Sequence, residues 1–274
     1  MKNIRYDFSG KAVLVSGAGS GIGFSICEAF AKAGAKVALN DIDADLAQKA
    51  AETINQSIGK EQVYPFGFDI ADTAAMKASF AAIITELGQI DILIANAGIT
   101  NFGRFLDYEE KAFDRLMAVN LKGSFFSAQV VAKQMIEKQI QAGRIIFLSS
   151  VTGKMAYPNL SAYGMSKAAL SHLTSVLALE LGAYDITVNA ICPGATVTER
   201  TLVDDPQYEA NWKLVSPNQR VGMVTDMANG ALFFATEEAA HINGQTLIID
   251  GGWTNSSPIP EDTPDLPTFS TQLR

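Results

Sequence analysis

The stretch Lys11-Ala-Val-Leu-Val-Ser-Gly-Ala-Gly-Ser-Gly-Ile-Gly23 decides the fold, because a short apolar run passes directly into a glycine-rich turn. The β-branched apolar residues at its start predict a buried strand. Residues 24–33 then show helical apolar spacing, and a second apolar run at 36–39 ends beside Asp41. This order predicts a βαβ unit with its glycines at the first strand-to-helix connection.

The glycine-rich turn is suited to hold the phosphates of a dinucleotide. Glycines allow positive φ and close approach of the backbone to a ligand, and the N-terminus of the next helix presents free N–H groups. The strict pattern G-x-G-x-x-G does not fit, because Ile22 stands where its last glycine should be. The variant G-x-x-x-G-x-G fits as Gly17, Gly21 and Gly23. Asp41 lies where a carboxylate would bond an adenosine ribose, so we predict a dinucleotide site here.

Strands and helices alternate through the rest of the chain, which predicts a parallel sheet. Further strands are expected at 62–68, 90–95, 143–150, 186–191 and 245–250, and helices at 44–58, 73–87, 109–140 and around Tyr163. The predicted fold class is therefore α/β, with one Rossmann-type doubly wound parallel sheet flanked by helices in a single domain. Ligands should gather at the carboxyl ends of its strands.

Composition and charge argue against several function classes. The 274-residue chain has a formal net charge of −8 and no run of Lys or Arg, which argues against nucleic acid or an anionic membrane as a partner. It shows no apolar run near the length of a membrane span and no signal peptide. Cys27 and Cys192 have neither disulfide-framework nor zinc spacing, so we expect a reducing compartment, the cytoplasm. His172 and His241 lack metal-site spacing, and no metal is expected.

A tyrosine and a lysine, Tyr163 and Lys167, stand four residues apart in a segment that is predicted to be helical. At this spacing both side chains lie on one helix face, one turn apart. A phenol has an ordinary pKa of about 10, and a nearby ammonium stabilises the phenolate and lowers that pKa. The pair would then suit general acid–base catalysis. Taken without its context, the same spacing more often marks a solvated helix face.

Eight motifs, in order and in register, resemble the classical short-chain dehydrogenase/reductase family over about residues 8–254. They are the glycine turn at 17–23, Asp69, Asn96-Ala97-Gly98, Asn120, Ser150, Tyr163-x-x-x-Lys167, Pro193-Gly194 and Asp250-Gly251-Gly252. Three positions depart from the family pattern. Ser16 stands where threonine is commoner, Ala95 where asparagine is usual, and Thr196 where valine or isoleucine is usual. None of them puts the chemistry in doubt.

The resemblance implies a catalytic tetrad of Asn120, Ser150, Tyr163 and Lys167. Tyr163 would exchange a proton with the substrate oxygen, while Lys167 would lower the pKa of the phenol and hold the nicotinamide ribose. Ser150 would hydrogen-bond the substrate oxygen. Ser149 is the competing serine, and the spacing to Tyr163 favours Ser150. Asn120 would hold a water that links Lys167 to solvent, and its alternative is a structural amide inside a helix.

The resemblance also implies a nicotinamide cofactor, and charge favours NAD(H). The carboxylate of Asp41 would accept the ribose 2′-OH and repel a 2′-phosphate. NADP-dependent relatives usually carry a basic residue where this chain has Ser20 or Ile42. The expected cofactor-binding residues are Gly17, Ser20, Gly21, Ile22, Gly23, Asp41, Ile42, Asp69, Ile70, Asn96, Ala97, Gly98, Tyr163, Lys167, Pro193, Gly194, Thr196 and Thr198.

The substrate side is expected to be closed by a lid at 198–217, as in the family. This segment is acidic and carries Trp212. Together with Ser150, we expect Tyr157, Asn159 and Trp212 to face the substrate. The alternative for Trp212 is a hydrophobic plug on a lid helix.

The chain divides into a predicted catalytic domain, 1–254, and a proline-rich tail, 255–274. The prolines predict an extended segment, which is either a disordered end or an arm on a neighbouring subunit. Family members are mostly tetramers that pack through the helices near 110–140 and 163–182 and through the final strand. A homotetramer is therefore expected.

The predicted function is an NAD-dependent oxidoreductase that transfers a hydride between a secondary alcohol and its ketone or lactone. A sugar or polyol is the favoured substrate, and Tyr163 is the general acid/base. A 3-oxoacyl-thioester reductase is the alternative within this class. A non-catalytic NAD-binding or redox-sensing protein is the alternative of another class, and the intact tetrad argues against it.

Overall fold

A seven-stranded parallel sheet lies at the centre of the computed structural model, which describes residues 5–256. Its strands follow the order β3-β2-β1-β4-β5-β6-β9, and two short strands, β7 and β8, pair separately. Residues 257–274, which hold nearly all of the predicted tail, lie outside the described residues. The strands are β1 (Ala12–Val15), β2 (Lys36–Asp41), β3 (Val63–Gly67), β4 (Ile92–Ala95), β5 (Gly143–Leu148), β6 (Ile186–Pro193), β7 (Thr196–Val197), β8 (Gly222–Met223) and β9 (Thr246–Ile249).

Helices cover both faces of the sheet. They are α1 (Gly21–Lys32), α2 (Ala44–Ile58), α3 (Thr73–Leu87), α4 (Glu110–Met117), α5 (Ser124–Glu137), α6 (Ser161–Leu181), α7 (Glu199–Asp204), α8 (Tyr208–Val215) and α9 (Val224–Ala235). Side chains alternate along β1, so that Val13 and Val15 join one apolar core with α1, α2 and α9. Ala12 and Leu14 join the other core, with α3, α5 and α6. The predicted single-domain, doubly wound α/β fold is confirmed.

The order of the strands reverses at β1. Val15 pairs with Leu39 of β2 on one side and with Ile94 of β4 on the other. A crevice opens outside the carboxyl ends of the strands at such a point, and ligands of open α/β sheets bind there. The glycine turn leaves β1 and the segment Asn96-Ala-Gly98 leaves β4, so the fold brings these two motifs to one crevice.

The predicted helix at 109–140 is not one regular helix. Between α4 and α5 the backbone forms a π-helical turn, Ala118–Gly123, which contains Asn120. Gly123 packs against Ile70, since a Cβ there would lie 3.0 Å from the Ile70 side chain. A π turn inside a helix is rare and frequently marks a functional position, because it re-aims the side chains of one turn. Here the turn carries the amide of Asn120 toward the segment after β4.

The described residues 5–256 contain neither a membrane-spanning helix nor a cluster of metal-ligating side chains. None of the helices there combines the length and the apolar character needed to cross a membrane. Within the same range, no group of three His, Cys, Asp or Glu side chains could hold a metal ion. Cys27 and Cys192 are both buried free thiols.

Candidate active site

The glycine turn is held against the end of β4 by a short network of hydrogen bonds. The Oγ of Ser16 accepts from the backbone N–H groups of Asn96 and Ala97, each at 3.1 Å. The Nδ2 of Asn96 donates to the carbonyls of Ser16 and Gly17, at 2.9 and 2.7 Å. A Cβ at Gly23 would lie 2.5 Å from the Gly17 carbonyl oxygen, so only glycine fits there. The Ser16 hydroxyl thus bridges the two strand ends by the hydrogen bonds that a threonine hydroxyl would make at this position.

The start of α1 offers free backbone donors to the crevice. Ser20 is the N-cap residue, but within the described chain its side chain makes no capping hydrogen bond, and the first turn holds no acidic side chain. Gly21 has φ +59° and faces the methyl group of Thr198 across the crevice, 3.4 Å from where its Cβ would be. N–H groups left open at a helix start, beside a turn without side chains, suit a phosphate. The residues present therefore fit the pyrophosphate of a dinucleotide.

Asp41 lies at the end of β2 and faces the same turn. One carboxylate oxygen accepts from the Gly19 N–H at 3.0 Å, and the other accepts from the Asp43 N–H at 3.2 Å. These contacts fix the carboxylate beside the turn while leaving lone pairs free for a hydroxyl donor. The neighbouring Ile42 is 60% exposed and lines the crevice as an apolar surface.

Tyr163 and Lys167 lie on one face of α6, as their spacing predicted; Lys167 is buried, and Tyr163 is half-buried in the cleft wall. The Lys167 Nζ donates to the Leu148 carbonyl at 2.7 Å and lies 5.6 Å from the centre of the Tyr163 ring. Burial penalises the ammonium and lowers the pKa of Lys167 to about 8.

The expected lowering of the Tyr163 pKa by Lys167 is not found. Burial raises the pKa of the Tyr163 phenol, and the hydroxyls of Thr100 and Ser150 and the charge of Arg200 oppose that rise. The prediction counted the charge of the lysine but not the loss of solvent around both groups, which acts against the charged form of each. Spacing along the helix carries no information on burial.

The hydrogen-bond partners of Ser149 and Ser150 distinguish the roles of the two side chains. The Ser149 hydroxyl donates to the Lys167 carbonyl at 2.8 Å and shares a hydrogen bond with Ser171, so it points toward the body of α6. The Ser150 hydroxyl faces Tyr163 and accepts from the N–H and the hydroxyl of Thr152, at 3.2 and 3.0 Å. Ser150, the serine favoured by spacing, is therefore the one that faces the phenol.

Asn120 is fully buried and clamps the segment after β4. Its Oδ1 accepts from the Ile99 N–H at 2.8 Å, and its Nδ2 donates to the Ile99 carbonyl at 3.0 Å. A Cβ at Gly98 would touch both the Asn120 Oδ1, at 3.4 Å, and the Lys167 Nζ, at 3.3 Å. Asn120 thus has the contacts of a structural amide and also lies near Lys167.

The glycine turn, Asp41, Ser150, Tyr163 and Lys167 open into one cleft of about 770 Å³, whereas Asn120 lies buried behind its wall. Every residue that the sequence predicted to bind the cofactor lines this cleft, as do Ser150, Tyr157 and Trp212. Asn159 is not among the residues that line this cleft, unlike the other predicted substrate residues. Its side chain is exposed, its φ is +65°, and its backbone carbonyl accepts from the Gly103 N–H.

The lid is made of α7 and α8, and aromatic side chains form the roof of the cleft. Trp212 of α8 lies between Tyr208, with ring centres 5.9 Å apart, and Trp253, with ring centres 5.2 Å apart. Burial raises the pKa of Tyr208 to about 12. Trp253 follows the Asp250-Gly-Gly turn, in which the Asp250 carboxylate accepts from the Gly252 and Thr254 N–H groups.

Among the lining residues that the sequence did not predict are Thr100, Arg200 and Trp253. Thr100 follows the Asn96-Ala-Gly98 motif by two residues, and Trp253 follows the Asp-Gly-Gly motif directly. The adjacency to a motif at a strand end was the available signal for both. Arg200 stands alone in the sequence without a motif beside it, and only the folded position of α7 brings it to Thr100.

A family model described as enoyl-(acyl carrier protein) reductase matches residues 17–254, from the glycine turn to the residue after Trp253. The chain belongs to the classical short-chain dehydrogenase/reductase family. The resemblance inferred from the motifs is thereby confirmed. This chain is an oxidoreductase of a family that binds a nicotinamide cofactor.

Relatives and solved structures in this family cover nearly the whole chain. D-threitol dehydrogenase of Mycolicibacterium smegmatis is 35% identical over 256 residues, which are 92% of this chain and 96% of that protein. A gluconate 5-dehydrogenase from Burkholderia cenocepacia, solved with NADP and tartrate, is 33% identical with a TM-score of 0.85, covering 92% of this chain and 98% of its own. A 7α-hydroxysteroid dehydrogenase, solved with NADH and 7-oxo glycochenodeoxycholic acid, is 35% identical with a TM-score of 0.84, covering 90% and 96%.

The buried ammonium of Lys167 should make stability depend on pH. The folded chain holds Lys167 with a pKa of about 8, and the unfolded chain holds it near the ordinary value of about 10.4. Between these values the unfolded state binds more protons, so the Lys167 contribution to stability rises as pH rises. Relative to Lys167→Met, the wild-type free energy of unfolding should therefore gain about 2 kcal/mol between pH 7 and pH 10.

Urea unfolding at both pH values measures this difference. Lys213→Met, which removes an exposed lysine of α8, is the matched control and should keep the wild-type dependence. Equal pH dependence in wild type and Lys167→Met would show that the ammonium is not desolvated.

Proposed function

We propose that this protein is an NAD(H)-dependent dehydrogenase that interconverts a secondary alcohol and its ketone or lactone, with a sugar or polyol as the substrate class. One observation carries the proposal: the Tyr163 phenol and the Ser150 hydroxyl face each other in the cleft that also contains the glycine turn. A proton-transfer pair and a dinucleotide cradle in one cleft are what this reaction requires.

In the oxidation direction, the Tyr163 phenolate takes the hydroxyl proton of the alcohol as the carbonyl forms. When bound, the nicotinamide accepts the hydride from the carbon that carries that hydroxyl. The Ser150 hydroxyl, steadied by Thr152, hydrogen-bonds the same oxygen and stabilises its developing charge. Lys167, beside the phenol, passes the proton onward, and its pKa of about 8 suits both uptake and release near neutral pH. In the reduction direction the same groups act in reverse.

Several observations support a polyhydroxylated substrate. The cleft has polar side chains on its floor and on α7, among them Thr152, Asp204 and Asp205. Its roof is aromatic, and flat rings pack well on the C–H faces of a sugar. The relative named for D-threitol and the solved gluconate 5-dehydrogenase act on compounds of this kind, as their names state.

NAD(H) is the proposed cofactor because of the charge at the end of β2. The Asp41 carboxylate would accept the adenosine ribose hydroxyls and would repel a 2′-phosphate. Ile42, which is apolar and exposed, offers no cation to a phosphate. The solved relatives include an NADP complex and an NADH complex, so the local charge carries the argument.

A homotetramer in the cytoplasm is the proposed assembly and location. An apolar surface groove of about 620 Å³ runs between α4, the π turn, α5 and α6, and it has the position expected for a contact with a second copy. Its lining is Asp114, Met117, Ala118, Leu121, Lys122, Phe125, Phe126, Ala169, His172, Leu173 and Val176. An apolar face of this kind is typical of an interface between copies. The two free thiols suit a reducing compartment.

The reaction is tested with NAD⁺ and a panel of sugars, polyols, simple secondary alcohols and 3-hydroxyacyl thioesters, with NADH formation as the readout. We expect turnover on a sugar or polyol, and a loss of about 10²–10⁴ in kcat for Tyr163→Phe. Because burial raises the phenol pKa, oxidation should speed up with rising pH as the phenolate forms. Turnover confined to thioesters would overturn the substrate class, and NADH binding without any turnover would favour the non-catalytic alternative.

Cofactor preference is tested by the double substitution Asp41→Ser with Ile42→Arg. It removes the repelling carboxylate and adds a guanidinium that pairs with a phosphate, so NADPH should bind at least about tenfold more tightly than in wild type. Fluorescence titration of both cofactors measures this, with Asp43→Ser, a change at the neighbouring acidic cap of α2, as the control. Equal NADH and NADPH affinities in the wild-type protein would contradict the NAD(H) proposal.

The assembly is tested at Phe125, which is 40% exposed in the groove. Phe125→Glu places a charge in the proposed contact and should shift the mass in sedimentation equilibrium from four chains toward fewer. Phe233→Glu, at an equally exposed phenylalanine of α9, is the matched control and should leave the mass unchanged. A monomeric wild-type protein would contradict the proposed homotetramer.

A further inference from the structure

The lid reaches across the mouth of the cleft through one side chain. Arg200, in the first turn of α7, donates from Nη2 to the carbonyl of Thr100 at 2.9 Å. Thr100 belongs to the segment that follows β4, a hundred residues earlier in the chain. Both residues line the cleft, so this hydrogen bond joins the lid to the opposite wall.

The lid end of this contact is well defined. Thr198 caps α7 and exchanges hydrogen bonds with Thr201, which fixes the helix start that carries Arg200. The Nε of Arg200 also lies 3.6 Å from a carboxylate oxygen of Asp204, one turn further along the helix. An exposed pair of this kind contributes little stability by itself, but it aims the guanidinium along the cleft mouth.

The other end of the contact leads directly to the phenol. Asn120 holds the Ile99 backbone from below by two hydrogen bonds, so the next residue, Thr100, has a fixed starting point. The Thr100 hydroxyl faces the Tyr163 phenol, while the Thr100 carbonyl receives Arg200. One residue therefore binds the lid through its backbone, and its hydroxyl acts on the pKa of Tyr163 from the cleft wall.

Charged and titratable groups face Tyr163 from four elements. They are Lys167 on α6, Cys192 on β6, Arg200 on α7 and Tyr208 on α8. The Arg200 charge lowers the pKa of Tyr163, against the larger rise caused by burial and a smaller one from Cys192. The guanidinium has this effect only while α7 lies over the cleft.

We propose that Arg200 is a positioning residue for the reaction at Tyr163, a role that rests on the proposed function. By donating to the Thr100 carbonyl, it holds the Thr100 hydroxyl against the phenol and keeps a positive charge beside the position where the phenolate forms. A lid lifted from the cleft breaks the hydrogen bond and withdraws the charge together. Proton transfer is thereby favoured when the cleft is covered.

Substitutions at Arg200 separate this role from a role in substrate binding. Arg200→Gln removes the charge, so kcat should fall about fivefold with little change in KM, and the rise of kcat with pH should move to higher pH. Arg200→Lys keeps the charge and should restore the pH profile. Lys213→Gln, which removes a positive charge from the exposed side of α8, is the matched control and should leave both unchanged.

Two results would overturn the proposal. A raised KM with unchanged kcat and unchanged pH profile in Arg200→Gln would make Arg200 a substrate contact. A kcat, a KM and a pH profile in Arg200→Gln that all equal those of the wild type would show that neither the charge nor the hydrogen bond to Thr100 serves the reaction.

A titration without substrate or cofactor keeps this inference distinct from the proposed reaction. Ultraviolet difference titration, with the Tyr163→Phe protein subtracted, follows ionisation of the Tyr163 phenol. Arg200→Gln should ionise at higher pH than the wild type. An unchanged titration would refute the charge effect even if the enzyme turns over its substrate, whereas a shifted titration without turnover would refute only the proposed reaction.

Discussion

The hydrogen bonds between the ends of β1 and β4 are the contact on which the site depends. Ser16 and Asn96 tie the two strand ends together and fix the glycine turn beside the segment that leads to Thr100. The same contact sets the spacing of the crevice at the point where strand order reverses. The glycine turn and the segment that leads to Thr100 are therefore joined at one place.

Burial has opposite consequences for structure and chemistry at Tyr163 and Lys167. It strengthens the interactions between charges near these two groups, but it disfavours both the phenolate and the ammonium. The surrounding hydroxyls of Ser150 and Thr100 and the Leu148 carbonyl compensate in part. An apolar residue at position 167 would therefore stabilise the folded state, because it would remove a buried charge that the fold otherwise has to accommodate.

The order of strands and helices could be predicted because it follows from local patterns of apolar residues along the chain. The βαβ unit, the later strands and the choice of Ser150 over Ser149 all followed from periodicity and spacing. The π turn at Ala118–Gly123 could not be predicted, because its apolar pattern is that of an ordinary helix. Other features depend on which segments meet in the folded chain, and residue spacing does not predict those contacts. They are the pKa of Tyr163, the left-handed backbone at Asn159 and the contact between Arg200 and Thr100.

The aromatic roof gives the molecule an optical property. The chain contains two tryptophans, and Trp212 and Trp253 meet edge to face with ring centres 5.2 Å apart. One belongs to the lid and the other to the fixed turn after the last strand. All the indole emission of the protein therefore arises from this one contact between α8 and the turn after β9. A movement of α8 away from that turn would separate the two rings, so intrinsic fluorescence would report the position of the lid without a label and without a substrate.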